Sequence, residues 1–387
     1  MNKEKVLIVH NYYQVPGGED TVVANEKKML EDNGHEVFIY TRHNDEIKES
    51  GIWGKIKLLF ETIYSFKTIK EVKEIIRENN IDIVHVHNTL PLISPSVYKA
   101  AKDCGVKVVQ TVHNFRLLCP GATFTCNGEI CEKCMSKGLK CAIQNKCYRD
   151  SAIQTLIVVL MLKINRIIGS YDKVDAYIAL TKFSKEKISK FIHKNKIFVK
   201  PNFTENINMD ILPAENREYF VFLGRIDQLK GIKVLLNTWK NIKNEELLII
   251  GKGPEELYVK KFIEENNINN IKILGLVENK EVKKVISKAK ALIAPSIWYE
   301  TFGMVNIEAF SVGTPVIASN IGAFSDVLND KNGIKFTVNS IDELVNCINI
   351  FSDYKILDKY INGAYVDYKK KYTVEKNYKI LLEIYKL

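Results

Sequence analysis

Residues 291–318 read ALIAPSIWYETFGMVNIEAFSVGTPVIA. Ala291–Ala294 is a short apolar run followed by a turn, the pattern of a buried strand, and Pro315–Ala318 repeats it. Between them a loop carrying Glu300 runs into a helix that begins about Gly303, and the segment closes at Gly313. Strand, loop, helix and strand make one βαβ turn, which lays two parallel strands side by side.

The same alternation extends in both directions. Val6–Val9, Val37–Tyr40, Ile83–Val86, Val106–Thr111 and Ala176–Leu180 read as buried strands of a first set. Tyr219–Leu223, Leu247–Ile250, Ile271–Leu274, Ala291–Ala294 and Pro315–Ala318 form a second, separated by helix-like segments such as Ile232–Asn241, Glu255–Asn266 and Lys280–Lys288. Two sets predict two doubly wound α/β domains in tandem, which suits a chain of 387 residues. The expected domains are 1–200 and 201–369, joined at Lys200-Pro201-Asn202, where proline ends regular structure. Residues 370–387, aromatic and basic with helical spacing, are expected to pack back on the first domain as a helix.

Composition narrows the class. With 46% hydrophobic and 26% charged residues the chain is an ordinary globular protein, neither disordered nor a coiled coil. The N-terminus has too few apolar residues before His10 for a secretory signal, and Leu156–Leu162 is too short to span a bilayer, so the cytoplasm is the expected location. Net charge is +10, and seven lysines against one acid fall between Lys182 and Lys200. That segment is either a solvated helix face or a patch drawn to nucleic acid or the inner face of a membrane. Gly51–Ile76 mixes Trp53, Phe60, Tyr64 and Phe66 with five lysines, so it suits either a membrane interface or burial against the first domain.

Open parallel sheets bind ligands beyond the carboxyl ends of their strands. The loop after the first strand, Gln14-Val15-Pro16-Gly17-Gly18-Glu19-Asp20, lets a phosphate or sugar approach the backbone ahead of a helix starting near Thr21. In the second set, Gly224 to Gly231 places Arg225 and Lys230 ahead of a helix, a fork and a point charge suited to a diphosphate. Gly251-Lys252-Gly253-Pro254 is expected to leave room for a base or ribose. Amides at Phe302, Gly303 and Met304 are helix-N-terminal donors, and Glu308 lies about one turn inside that helix. Walker A and GxGxxG motifs are absent, which argues against P-loop nucleotidases and NAD-dependent dehydrogenases.

Glu300 to Glu308 resembles the EX7E motif of retaining GT-B glycosyltransferases, specifically glycosyltransferase family 4. Gly17-Gly18, Thr111-Val112-His113-Asn114, Pro201-Asn202, Gly224-Arg225 and Lys230-Gly231 follow the family's order from residue 5 to about 340. The resemblance implies two Rossmann-like domains facing a central cleft and transfer of a sugar from a nucleotide-diphosphate sugar with retention of configuration. It implies Arg225 and Lys230 on the donor diphosphate, Glu308 on the ribose and Glu300 positioning the transferred sugar. Phe302, Gly303, Met304 and Val305 would surround sugar and phosphates, with Gly17, Gly18, Asn202, Gly224 and Gly251 in the donor site and His113 near the reacting carbon. Relatives often carry a glutamate where Asp326 stands after Ile321-Gly322-Ala323, which bears on donor identity.

No Asp-x-Asp motif occurs, so transfer without a catalytic metal or other cofactor is expected. The expected acceptor is a saccharide or a lipid-linked saccharide of envelope polysaccharide assembly, with peripheral contact to an anionic membrane and no nucleic acid. Six of the eight cysteines lie within 119–147, around Cys131-Glu132-Lys133-Cys134. Thiols so spaced in a reducing compartment suit structural zinc. A subgroup of the family resembles His113-Asn114-Phe115-Arg116 with Cys119-Pro120 and Cys147-Tyr148-Arg149. On that resemblance the ligands are Cys119, Cys131, Cys134 and Cys147, with Cys126 and Cys141 as alternates. Two other readings compete: a nucleotide-sugar epimerase of the same architecture, against which the full EX7E with Arg225 and Lys230 argues, and a zinc-containing nucleic-acid binder, which the absence of finger histidines disfavours.

Overall fold

The computed structural model describes residues 3–14, 17–49, 52–207 and 209–387. The chain divides into two compact units. One comprises the residues up to Cys126 with Cys131–Lys200 and Tyr378–Leu387; the other comprises Asn127–Ile130 with Pro201–Asn377.

The first unit is built on β1 (Lys5–Tyr12), β2 (Glu36–His43), β3 (Ile83–Asn88) and β4 (Lys107–Val112), continued after the small hairpin β5 (Thr125–Cys126) and β6 (Glu129–Ile130) by β7 (Ala176–Ala179) and β8 (Ile197–Val199). The sheet order is β2-β1-β3-β4-β7-β8, and the pairs are parallel. Parallel sheets are covered on both faces, which is why Val6-Leu7-Ile8-Val9 is an unbroken, fully buried apolar run. The last turns of the helix Val374–Lys386 belong to this unit, where the Tyr385 hydroxyl sits 2.7 Å from His85 Nδ1 and the Lys107 ammonium bonds the Tyr385 carbonyl at 2.7 Å.

The second unit carries β9 (Tyr219–Leu223), β10 (Leu247–Ile250), β11 (Ile271–Gly275), β12 (Ala289–Ala294), β13 (Val316–Ser319) and β14 (Gly333–Phe336) in the order β11-β10-β9-β12-β13-β14. Trp239, Leu235 and Leu236 of the helix Ile232–Asn241 bury one side of this sheet with Phe220, Ile249 and Ile293. In each sheet the chain reverses its direction of travel once, between β1 and β3 and between β9 and β12. Such switch points open a crevice where two neighbouring loops diverge.

Both sheets are the doubly wound halves that the alternating pattern predicts. Three details differ. Residues 182–200 are not one solvated helix face: Lys182–Ile188 is a short helix, Ile197–Val199 is edge strand β8, and Lys200 is fully buried. Gly333-Ile334-Lys335-Phe336 is a strand although a glycine and a lysine interrupt its apolar run. The C-terminal region holds two helices, Tyr354–Lys371 and Val374–Lys386, the first burying Leu357, Ile361, Ala364 and Tyr368. Residues 52–63 and 66–79 are also two helices; Gly51, with the side chains of Trp53, Lys55 and Lys57, lies outside the described residues, as do Val15 and Pro16. Among the described residues no helix is long and apolar enough to cross a membrane.

Candidate functional site

In the second unit β9 and β12 are neighbours, so the loops after them meet at the switch point. The first carries Arg225, Asp227 and Lys230; the second carries Ser296, Trp298 and Glu300. The Lys230 ammonium lies 2.6 Å from Glu300 Oε1, which also accepts from Ser296 Oγ at 2.9 Å and Trp298 Nε1 at 2.8 Å. All three donors converge on Oε1 of a buried carboxylate, which leaves Oε2 as the oxygen to offer a ligand. Asp227 shapes the other loop: it accepts from the Lys230 amide at 2.9 Å and pairs with Arg225 Nε. The Arg225 side chain stays 66% exposed, able to swing to an anion.

Glycines at this crossing serve the backbone. Gly231 has φ +76°, and a Cβ there would fall 1.8 Å from the Pro295 carbonyl oxygen. Gly231→Ala is therefore expected to cost about 2–4 kcal/mol, from the left-handed backbone and the collision together, read as a lower melting temperature of the unliganded protein. Gly251 lets two loops cross: a Cβ there would sit 1.9 Å from the Gly224 carbonyl oxygen. Gly322, at φ +59°, packs on the backbone of Tyr299 and Glu300, and the Ala323 amide holds the Glu300 carbonyl at 3.0 Å. The turn before Asp326 thus fixes where Glu300 stands.

The helix Met304–Ser311 starts on Gly303, which adopts φ +83°. The amides of Met304 and Val305, lying in the first turn, have no intrahelical acceptor, and Asn306 is the first to find one, the Gly303 carbonyl at 3.1 Å. The Asn306 side-chain amide is buried with neither polar atom hydrogen-bonded, and the buried Asn202 carbonyl oxygen is likewise without a partner. Buried amides cost free energy in that state, so each marks a place where a polyhydroxylated ligand would be welcome. Glu308 is half-buried; loss of water raises its carboxyl above the usual range and the Lys283 ammonium partly offsets this. A poorly hydrated carboxylate is a strong acceptor for a pair of hydroxyls.

In the first unit His113 follows β4 and stacks on His87, with His87 Nδ1 and His113 Nε2 2.9 Å apart and ring centroids at 5.2 Å. Burial pushes His113 down to about 3 and His85 to about 4, helped for His113 by neighbouring His10 and Lys200. His113 is therefore a neutral imidazole, a hydrogen-bonding group rather than a cation. A cavity of about 60 Å³ beside it is lined by His87, Thr89, Leu90, Asn114 and Arg116. Gly17 caps the helix Gly18–Asp32, its amide bonded at 2.7 Å to Asp20, which also meets His10 at 2.8 Å. A Cβ at Gly17 would meet nothing within 4 Å, so packing does not require glycine there. Glu19 beside it is pushed up to about 8 by burial and then by Asp20.

Sequence reasoning missed Trp298, Ser296 and His87, which only their position at or just beyond a strand's carboxyl end could have flagged, and it gave no role to Asn306 and Glu19, which lie in the first turns of two helices.

The cysteines are all reduced. Burial and neighbouring thiols, chiefly Cys119 and Cys141, push Cys134 up to about 12; burial, then Cys126, Cys119, Cys134 and Cys131, do the same for Cys147. Thiolates so placed repel one another, and a dication is what would cancel that repulsion. The group of ligand atoms brought within 4.8 Å among the described residues is a different one, Glu26, His85 and His87. There the buried Lys200 ammonium, 3.6 Å from Glu26, already supplies the positive charge.

Residues 16–205 match the family described as Glycosyltransferase Family 4, and residues 203–366 match Glycosyl transferases group 1. An uncharacterized glycosyltransferase of Methanocaldococcus jannaschii is 25% identical over 96% of this chain and 95% of its own. A phosphatidyl-myo-inositol mannosyltransferase of Mycolicibacterium smegmatis is 23% identical over 82% of this chain and 76% of its own. The structure of Anabaena HepE in complex with UDP-glucose superposes with a TM-score of 0.66 at 16% identity, covering 99% of this chain and 100% of that one.

Proposed function

The chain belongs to the GT-B glycosyltransferases of family 4 and group 1, and on that premise we propose that it transfers a sugar, with retention, from a nucleotide-diphosphate sugar to a saccharide or lipid-linked saccharide acceptor. The observation that carries this reading is the convergence of Lys230, Ser296 and Trp298 on Glu300 at the β9/β12 switch point. Breaking a glycosyl–phosphate bond builds negative charge on the leaving diphosphate and positive charge on the sugar. A diphosphate arriving there competes with Glu300 for the Lys230 ammonium and draws in the exposed Arg225, while the first-turn amides of Met304 and Val305 stabilise its oxygens. Glu300, partly released, hydrogen-bonds the transferred sugar through Oε2. Glu308 takes the ribose hydroxyls, and Asn202 and Asn306 gain partners. His113, neutral, is a hydrogen-bonding group for a sugar hydroxyl. The bound UDP-glucose of Anabaena HepE and the phosphatidylinositol acceptor named for the mycobacterial relative support the donor and acceptor classes.

Catalysis in this reading uses protein cations and amides in place of a metal. Brief EDTA treatment is expected to leave transfer unchanged, whereas loss of activity restored by magnesium or manganese contradicts it. In this reading the cysteine segment takes a structural zinc on Cys119, Cys131, Cys134 and Cys147, whose sulfurs would have to draw together around the ion, tying the loop after His113 without entering the reaction. Metal analysis of the same freshly purified sample is expected to find about one zinc per chain; well under that value leaves the thiols as a reduced cluster. The proposed location is the inner face of the plasma membrane, where a lipid-linked acceptor is presented.

A further inference from the structure

The helix Ala152–Ile167 buries Val158, Val159, Met161 and Leu162, as an amphipathic helix should. Its other face is not polar. Ile153 (71% exposed), Leu156, Leu160, Ile164 and Ile167 (83%) recur at three- and four-residue steps, an apolar stripe about 20 Å long. The helix Ile52–Ile63 packs beside it and adds exposed Leu59 and Phe60 (69%), followed by Phe66 (78%). An exposed apolar stripe of that length marks a binding face rather than scattered surface leucines.

Between the two helices runs a groove of about 210 Å³, lined by Leu58, Leu59, Pro91, Ile157 and Val158 with Tyr148 and Arg149. That volume is below the roughly 300–1,000 Å³ of a drug-sized pocket and suits a length of one hydrocarbon chain. Its polar members point to what the chain is attached to. The exposed Arg149 guanidinium lies 5.5 Å from the Tyr148 ring centroid, and Arg116 covers the same ring at 5.2 Å. Arg116 also lines the cavity beside His113, and Leu90 lines both that cavity and the groove. Apolar groove, two guanidinium groups and the His113 cavity therefore follow one another along the carboxyl ends of β3 and β4.

We infer that this groove holds the isoprenoid chain of a lipid-linked acceptor, with Arg149 and Arg116 on its phosphate and its sugar directed to His113. Arginine forks suit a phosphate that must be held in one orientation. The inference rests on the lipid-linked acceptor proposed above and assigns that acceptor a place on this chain.

The test measures binding of farnesyl phosphate, farnesol, inorganic phosphate and dihexanoyl phosphatidylglycerol to the full chain by calorimetry, with nucleotide-induced stabilisation recorded on the same samples. Wild type is expected to prefer farnesyl phosphate over the other three. Leu59→Asp is expected to weaken it by about tenfold or more, the loss for one buried leucine contact. Arg149→Ala is expected to erase the preference over farnesol while leaving farnesol binding in place. Because Arg149 is exposed, its variant carries the test even if Leu59→Asp melts early. Unchanged binding in Arg149→Ala, no binding of farnesyl phosphate by wild type, or equally tight dihexanoyl phosphatidylglycerol overturns the inference; the last result makes the face a membrane-phospholipid surface. Nucleotide stabilisation without farnesyl phosphate binding sinks the groove alone. Farnesyl phosphate binding without nucleotide stabilisation sinks the glycosyl-transfer reading and leaves the groove.

Discussion

Lys230→Ala is expected to lower transfer by about 10²–10³-fold, the usual cost of removing one preorganised group that stabilises charge developing in a transition state. Its ammonium is the cation already aimed into the β9/β12 crevice, 2.6 Å from Glu300. Arg225 does not substitute, because its guanidinium is paired with Asp227 and must turn from it to meet the diphosphate. The loss should fall mainly on kcat, since charge on the leaving diphosphate is greatest as the bond breaks. Lys230→Arg should recover little, a planar fork being a poor replacement for a point charge packed 5.6 Å over the Trp298 ring. Steady-state kinetics with release of nucleoside diphosphate as the readout checks this. A variant within a few-fold of wild type removes Lys230 from the reaction.

Glu300→Gln is expected to cost about 10²-fold or more, by a separate route. The carboxylate is nearly isosteric with the amide, so the fold should survive. The amide, however, brings two N–H donors into a space where Lys230, Ser296 and Trp298 already donate. Flipping the amide cannot cure this, since an acceptor is needed both for those three donors and for the sugar. Nucleoside diphosphate binding should change by much less than the rate, because the lost contact is to the sugar. The double variant Lys230→Ala with Glu300→Gln should be far from additive, as the two side chains touch. Additive losses would mean that the pair seen at 2.6 Å does not act as one unit.

Most of the sheet was readable because a parallel strand covered on both faces must be apolar throughout, as in Val6–Val9 and Leu247–Ile250. Strand β8 escaped because its three apolar residues are flanked by Lys196 and Lys200, and β14 because an edge position tolerates the glycine and the lysine that interrupt it. Glu300, Lys230 and Glu308 were legible as residue types at a spacing. Their contacts were not: Lys230 reaches Glu300 across 70 positions only because β9 and β12 are neighbours, an order that hydrophobic periodicity does not encode. The same holds for His87 against His113, which stack because β3 lies beside β4. Gly251 shows a related limit, since a glycine kept for a ligand and one kept for a crossing backbone look alike until the neighbouring carbonyl is seen.

The most direct test of the account is nucleotide binding by wild type and Glu308→Ala, followed by thermal shift against UDP, GDP, ADP, CDP and their sugars. The account predicts that one nucleotide class raises the melting temperature of wild type and that Glu308→Ala, which folds without ligand, loses that rise. Stabilisation by none of them, or a rise that Glu308→Ala keeps in full, would contradict the donor site built here from Arg225, Lys230, Glu300 and Glu308.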